Sequence, residues 1–271
     1  MRRIRFAQLG DESQLEELYR RCFPQDEQSF WNWIFLRVYS PENTLVMVEN
    51  GRITASLQMI PCKMRLKEQL FDAHYIYAAS TLPEEQGRGL MAQLLTQAAE
   101  EGLHRGHRFS VLITQEDSLL DYYARFGYES RFMVSDVPPQ SARLSGNHTC
   151  RLTEPADVPA LSQIYRSGTD GLLCAERDTA FWLQQLELFG TGAKVLERDG
   201  RITAYAFMDE RGIIEAAGED EPLLASCLTP GCRWRTFPGK DAHPMGSIRP
   251  LDDDARKMME QNPCYLNLMY N

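Results

Sequence analysis

The sequence predicts an α/β protein built from two copies of one unit, and three observations carry that prediction. Runs of strand length alternate with segments of helical periodicity through the first 135 or so of its 271 residues. Arg5, Asp11, Leu15, Tyr19 and Arg20 recur, at one constant spacing, as Arg151, Asp157, Leu161, Tyr165 and Arg166, and Phe30-Trp31 recurs as Phe181-Trp182. Gly51-Arg52-Ile53-Thr54-Ala55 recurs letter for letter as Gly200-Arg201-Ile202-Thr203-Ala204. The spacing drifts by only a few residues between matches, as small loop insertions would produce. The expected domains are residues 1–136 and 148–271, with a linker at 137–147 marked by Pro138-Pro139-Gln140-Ser141.

In the first copy, residues 3–9 read as a strand. Asp11 then caps a helix whose inner face is Leu15, Leu18, Tyr19 and Cys22, ended by Pro24. A second helix, 26–38, carries Phe30, Trp31, Trp33 and Ile34, an aromatic group expected in the core or lining a groove. Strands at 43–49 and 52–65 meet at Asn50-Gly51, a hairpin signal. A central strand, Tyr75 to Leu82, is closed by Pro83. The loop Gln86-Gly87-Arg88-Gly89 follows and opens a helix in which Leu90, Met91, Leu94, Leu95 and Ala98 recur at helical spacing. A strand at 109–114, a short helix at 118–125 and a strand at 128–134 complete the copy.

The second copy diverges where the first carries its loop. Its central strand is Ile213 to Ala217, followed by Gly218-Glu219-Asp220-Glu221-Pro222 and a short helix at 222–228. No glycine loop opens that helix, and three acidic residues would repel phosphate. At the end, Tyr265 to Tyr270 alternates like a strand.

Composition bounds the class. Hydrophobic residues at 43% and charged residues at 25% make a soluble globular mix with ample core material. No run approaches the ~18 apolar residues of a membrane span. The basic start Met1-Arg2-Arg3-Ile4-Arg5 lacks the apolar region of a secretory signal, so a cytoplasmic protein is expected. Seven cysteines without paired spacing read as reduced thiols, and Cys227 and Cys232 make a poor zinc half-site, so no metal is expected. A net charge of −9 argues against a nucleic-acid surface and favours a cationic partner.

The loop after the central strand has a physical use. The first N–H groups of a helix have no internal partner and carry partial positive charge, and two glycines let backbone approach a ligand. Such a junction suits phosphate, with Arg88 as a charged donor. It lacks the Gly-Lys-Ser/Thr of a Walker loop. It matches the G-x-G-x-x-A dinucleotide fingerprint only with Pro83 to Gln86 intervening, and no acidic residue stands at position 109.

Thr81-Leu82-Pro83-Glu84-Glu85-Gln86-Gly87-Arg88-Gly89 resembles the Gln/Arg-x-x-Gly-x-Gly/Ala acetyl-CoA loop of the GCN5-related N-acetyltransferase (GNAT) superfamily. Leu120-Asp121-Tyr122-Tyr123-Ala124-Arg125-Phe126-Gly127-Tyr128 resembles its second signature, a helix ending in Tyr-x-x-x-Gly-Phe/Tyr. Met91 stands where a third loop glycine is usual, as in the tandem-domain relatives called Eis-like. The resemblance implies two tandem GNAT-like domains, each a mixed, mostly antiparallel twisted sheet flanked by helices, the second degenerate and closing the acceptor site.

The implied activity is acetyl transfer from acetyl-CoA to a primary amine, cationic, on a small molecule or peptide. Residues Gln86, Gly87, Arg88, Gly89, Leu90, Met91 and Ala92 would hold the pyrophosphate. Ala79, Ser80 and Thr81 would lie beside the pantetheine, with a backbone N–H near Thr81 or Leu82 supporting the oxyanion. Ser118 would approach the cofactor. Tyr123 would protonate the leaving thiolate, since phenol and thiol titrate close together. By resemblance to Eis-like proteins the base would be the terminal carboxylate of Asn271, with His74, Glu116 and Asp117 as alternatives. Two other functions fit the same scaffold: a non-catalytic acyl-CoA sensor and an aminoacyl-tRNA-dependent peptide ligase. The identity of the amine, the acyl length and any homo-oligomer are not legible.

Overall fold

A computed structural model describes residues 2–114, 116, 118–140, 147–267 and 270. The chain divides into two compact units that interleave in sequence. The first takes Met1–Met64, Leu70–Glu129 and Ser247–Gln261; the second takes Arg65–Gln69, Ser130–Gly246 and Asn262–Asn271.

The first unit opens with β1 (Arg2–Phe6), α1 (Glu12–Cys22) and α2 (Gln28–Arg37). β2 (Thr44–Glu49), β3 (Arg52–Leu66) and β4 (Gln69–Thr81) follow, then α3 (Leu90–His104), β5 (Phe109–Ile113) and α4 (Ser118–Ala124). The strands lie in the order β1-β2-β3-β4-β5, antiparallel for β1 with β2 and β2 with β3, and parallel for β4 with β5. The change of direction follows from α3, since a parallel neighbour needs a crossover. One core forms where Leu45, Leu57 and Ile76 of the sheet meet Leu90, Leu94 and Ala98 of α3. Asp11 does not cap α1 with its side chain. Its carboxylate accepts instead from the Gln8 amide at 2.8 Å and from both arms of Arg5, which hold its carboxyl below the usual carboxylate range.

The second unit begins with β6 (Glu129–Val137), β7 (His148–Leu152), α5 (Val158–Gly168), β8 (Leu173–Ala175) and α6 (Thr179–Phe189). It continues through β9 (Ala193–Arg198), β10 (Arg201–Asp209), β11 (Gly212–Gly218), α7 (Glu221–Leu228), β12 (Trp234–Thr236) and β13 (His243–Pro250). After α8 (Asp253–Gln261), β14 (Cys264–Tyr265) pairs in parallel with β6 and β8. The order β6-β12-β11-β10-β9-β7 repeats the first unit's pattern of antiparallel hairpins followed by one parallel pair, β11 with β12.

The duplication is visible atom by atom. Arg151 grips Asp157 at 2.7 and 2.9 Å while the Glu154 amide donates to the same carboxylate at 2.8 Å, as Arg5 and Gln8 do for Asp11. Asn50-Gly51 and Asp199-Gly200 both turn with positive φ. Thr54 and Thr203 each donate to a carbonyl on the preceding strand, Met47 at 3.3 Å and Leu196 at 3.4 Å.

Three expectations change. Val137, expected in the linker, closes β6 and pairs with Trp234, so its backbone is committed to a ladder; residues 141–146 lie outside the described residues. Ser247–Pro250 of β13 and α8 belong to the first unit, where the Leu251 amide donates to Arg108 O at 2.9 Å and Arg108 bonds Asp252. The expected strand at 265–270 narrows to Cys264–Tyr265, with Leu268, Met269 and Asn271 outside the described residues.

Candidate active site

β4 is the strand on which the site is built, and it is not regular. Ala78 has φ 47°, and it is the one positive-φ residue other than glycine that stands inside a strand among the described residues. An L-residue there costs on the order of 1–2 kcal/mol. The extra residue shifts the alternation of side chains, so Ile76 and Ala79, three apart, join the same core cluster with Leu90 and Leu94 of α3. Ser80 accordingly faces away from α3. Pairing with β5 runs from Ala73↔Phe109 to Tyr75↔Val111 and stops there, while β4 continues to Thr81. Bulge and splay together turn the last third of β4 into an edge beside which an extended ligand can lie.

Beyond Thr81, Pro83–Glu85 form a single turn of 3₁₀ helix. Glu84 anchors that turn through Arg21 of α1 at 2.7 Å and Arg52 of β3 at 3.3 Å, and the Arg21 bond pulls its carboxyl down to about 2. Gly87 (φ 75°) and Gly89 (φ 71°) follow, and a Cβ at either would meet nothing within 4 Å. Gly89 is the N-cap of α3 and no side chain caps the helix, so its first amides have no side-chain partner there. Gln86 to Gly89 are exposed, Leu90 is buried, and Met91 and Ala92 are half-buried. Arg88, expected as a free phosphate donor, is closed on Glu49 at 3.1 Å and on Glu85.

The face of β4 turned toward α1 is neutral and polar. Ser80 and Ser56 share a hydrogen bond at 3.2 Å; Ser56 reaches the Tyr19 hydroxyl at 3.5 Å and Gln58 donates to it at 3.3 Å. The Cys22 thiol donates to Thr81 O at 3.3 Å, and Gln86 donates to the same carbonyl. Tyr19 stacks on Trp31 with centroids 4.8 Å apart. The Leu82 amide, one of two expected oxyanion donors, is already committed to Thr54 O at 3.0 Å.

Tyr123 lies at the end of α4, half-buried against the core of the first unit and edge-on to Tyr122 and Tyr128. Burial raises its hydroxyl well above the ordinary tyrosine value. Tyr128 is fully buried, bonds Ser110 at 2.6 Å and is pushed up to about 12 by burial. Ser118, expected to approach the cofactor, is exposed and bonds Glu116 at 3.2 Å.

The expected base is not placed. His74 is no candidate. It is wholly buried under α3, shares a 2.9 Å hydrogen bond with His107, and burial drives it down to about 3, so it is a neutral core histidine. Asp117 and Asn271 lie outside the described residues. The Ala78 bulge and the Tyr19–Ser56–Ser80 cluster went unread in the sequence; Ala78 is an ordinary strand residue by type, and the cluster joins three distant segments. Among the described residues no three His, Cys, Asp or Glu side chains gather as metal ligands, and no helix is long and apolar enough to cross a membrane.

Residues 3–131 match the family model described as an acetyltransferase (GNAT) domain. No curated protein matches the chain. Its fold is similar to that of a GCN5-related N-acetyltransferase from Kribbella flavida, with a TM-score of 0.71 at 14% identity over 94% of this chain and 73% of that one. One from Anabaena variabilis ATCC 29413 gives 0.66 at 16% over 93% and 73%. Eis1 from Mycobacterium abscessus gives 0.66 at 14% over 96% and 76%. The likeness to these structures is one of fold, while the family match covers the bulged strand, the glycine loop and Tyr123 together. Residues 3–131, a little under half of the chain, are thus similar to an acetyltransferase domain of the GNAT family.

Proposed function

We propose that the protein transfers an acetyl group from acetyl-CoA to a primary amine of a small molecule or peptide by direct attack, with Tyr123 as general acid. The observation that carries this reading is the uncapped, glycine-opened start of α3 lying just past the bulged end of β4. Acetyl-CoA, when bound, supplies an acyl group activated as a thioester. The residues present suit that molecule: open space over Gly87 and Gly89 leaves room for a diphosphate against their amides, and the splayed end of β4 offers an edge to an extended arm.

The chain's own groups then have separable tasks. Amides from Gly87 to Ala92 bind anionic oxygens, and Arg88 exchanges Glu49 and Glu85 for them. Backbone of Ala79 to Thr81 orients the acyl arm. Tyr123 keeps its proton at neutral pH, because burial disfavours the phenolate, and so has one to give.

The test is calorimetric titration with CoA, followed by thiol release from acetyl-CoA over a panel of amines. Wild type binds CoA and releases thiol with at least one amine. Tyr123→Phe binds CoA equally and loses about 10²–10³ in kcat. Absence of CoA binding, or full activity in Tyr123→Phe, rules out the reading as stated.

A further inference from the structure

We infer that the acceptor is a monocationic primary amine carried on a flat aromatic body, not a polyamine or aminoglycoside; the inference rests on the acetyltransferase reading above. The first argument is approach. Leu90, Leu94 and their neighbours on α3 cover one face of β4. An amine reaching the edge at Ala78 to Thr81 therefore comes from the other face, where Ser80 points toward Tyr19 of α1.

That face is walled by rings. Tyr19 stacks on Trp31 at 4.8 Å, Phe23 and Phe30 lie 5.5 and 5.4 Å from Trp31, and Phe35 lies 5.9 Å from Tyr19. Tyr19 and Trp31 are buried, whereas Phe23, Phe30 and Phe35 are half-buried and form the reachable rim. Flat apolar surface is what such a rim binds, and stacked or edge-on rings add to area burial. A single ammonium over ring faces is also tolerated.

The second argument is charge. The polar groups beneath the wall are Ser56, Gln58 and Ser80, all neutral. Of the carboxylates bordering α1, Asp11 is engaged by Arg5, Glu12 by the Gly10 amide, and Glu84 by Arg21 and Arg52, while Glu16 and Glu17 stand on its exposed side. A polyamine would bring further ammonium groups to Ser56, Gln58 and Ser80, none of which can pair them, and unpaired buried charge is costly. The third argument is an unused donor. The Trp31 indole is 4% exposed and its N–H has no partner. A ring hydroxyl on a ligand is one acceptor such a donor could take, although the Trp182 indole at the matching place in the second unit is unpartnered as well.

The experiment compares tyramine, 2-phenylethylamine and spermidine as acceptors, and separately follows tryptophan fluorescence on titration with tyramine in the presence of CoA. The expected result is kcat/KM at least tenfold higher for the two arylalkylamines than for spermidine, and saturable quenching by tyramine. Phe35→Ala, on the half-exposed rim, is expected to raise KM for tyramine at least fivefold while CoA affinity stays within twofold. Spermidine preferred or equal, or Phe35→Ala without effect on KM, overturns the inference and leaves the acetyltransferase reading standing. No CoA binding at all overturns both.

Discussion

The two units are copies that kept the same frame and treated its centre in opposite ways. Both hold the Arg–Asp fork at the start and the positive-φ hairpin with its threonine, down to bond lengths within a few tenths of an ångström. In the first unit, Tyr19, Trp31 and Ser56 border a neutral face of β4. In the second, the repeat puts Tyr165, Trp182 and Tyr205 at those places, and there a salt bridge fills the centre. Arg177 bonds Glu215 of β11 at 2.5 and 2.9 Å and lies 4.0 Å from the Tyr165 ring centroid. Tyr205 and Tyr265 donate to the same carboxylate, and both charged side chains are essentially inaccessible. The glycines contrast in the same way. A Cβ at Gly89 would meet open space, while one at Gly218 would strike Thr203 O at 2.2 Å. The lesson is that a duplicated scaffold survives as packing where a pair of charges that satisfy each other occupies its centre.

The comparison can be broken most forcefully at the ion pair. Arg177→Met leaves Glu215 buried and unpaired, and is expected to cost about 3–5 kcal/mol in chemical denaturation. A change below about 1 kcal/mol would mean that the pair does not organise the second unit. The glycines give the next largest effect. Gly218→Ala should lower stability by about 2 kcal/mol or more and leave intrinsic CoA affinity unchanged, because its backbone neighbours cannot move. Gly89→Ala should do the reverse, weakening CoA about tenfold by calorimetry for about 1 kcal/mol of stability, the strain of φ 71°. Equal behaviour of the two variants would erase the distinction between a ligand glycine and a packing glycine.

A smaller effect is expected at Gln185 of α6, which is fully buried with both amide atoms unpartnered. It stands where the first unit has buried Ile34, three residues after the matching tryptophan. Gln185→Ile should stabilise by about 1–2 kcal/mol, since it removes unpaired polar atoms from the interior; a loss of stability would point to a bound water there. The mildest test is acid. Arg5 and Arg151 hold Asp11 and Asp157 below their ordinary values, so each fork adds stability above pH ~4 and loses it as pH falls through the lowered folded value. Asp11→Asn and Asp157→Asn should each flatten the acid limb of the stability curve, and by similar amounts. A variant whose acid limb matched wild type would show that its fork is ornamental.

The frame of the candidate site was readable in one dimension because it is local. Gly87, Gly89 and the start of α3 fall within a short motif whose spacing states their geometry, while Tyr123 was placed by resemblance. The Asp11 fork was misread as a cap, because type and position agree with capping and only Arg5 distinguishes the two. Arg88 was read as free because Glu49, its partner, belongs to the preceding hairpin. Val137 looked like linker since Pro138-Pro139 follows it, yet β12 claims its backbone.

Unaided, the residue order determined the repeat, the elements of the first copy and the glycine-opened start of α3. Each follows from backbone preferences over a few residues. Tertiary structure alone decided the bulge at Ala78, the splay of β4 from β5, the aromatic wall over Ser80 and the residence of Ser247–Gln261 in the first unit. Those depend on which distant segments share a sheet edge or a face. Strand pairing and side-chain packing are non-local, and no short window of sequence encodes them.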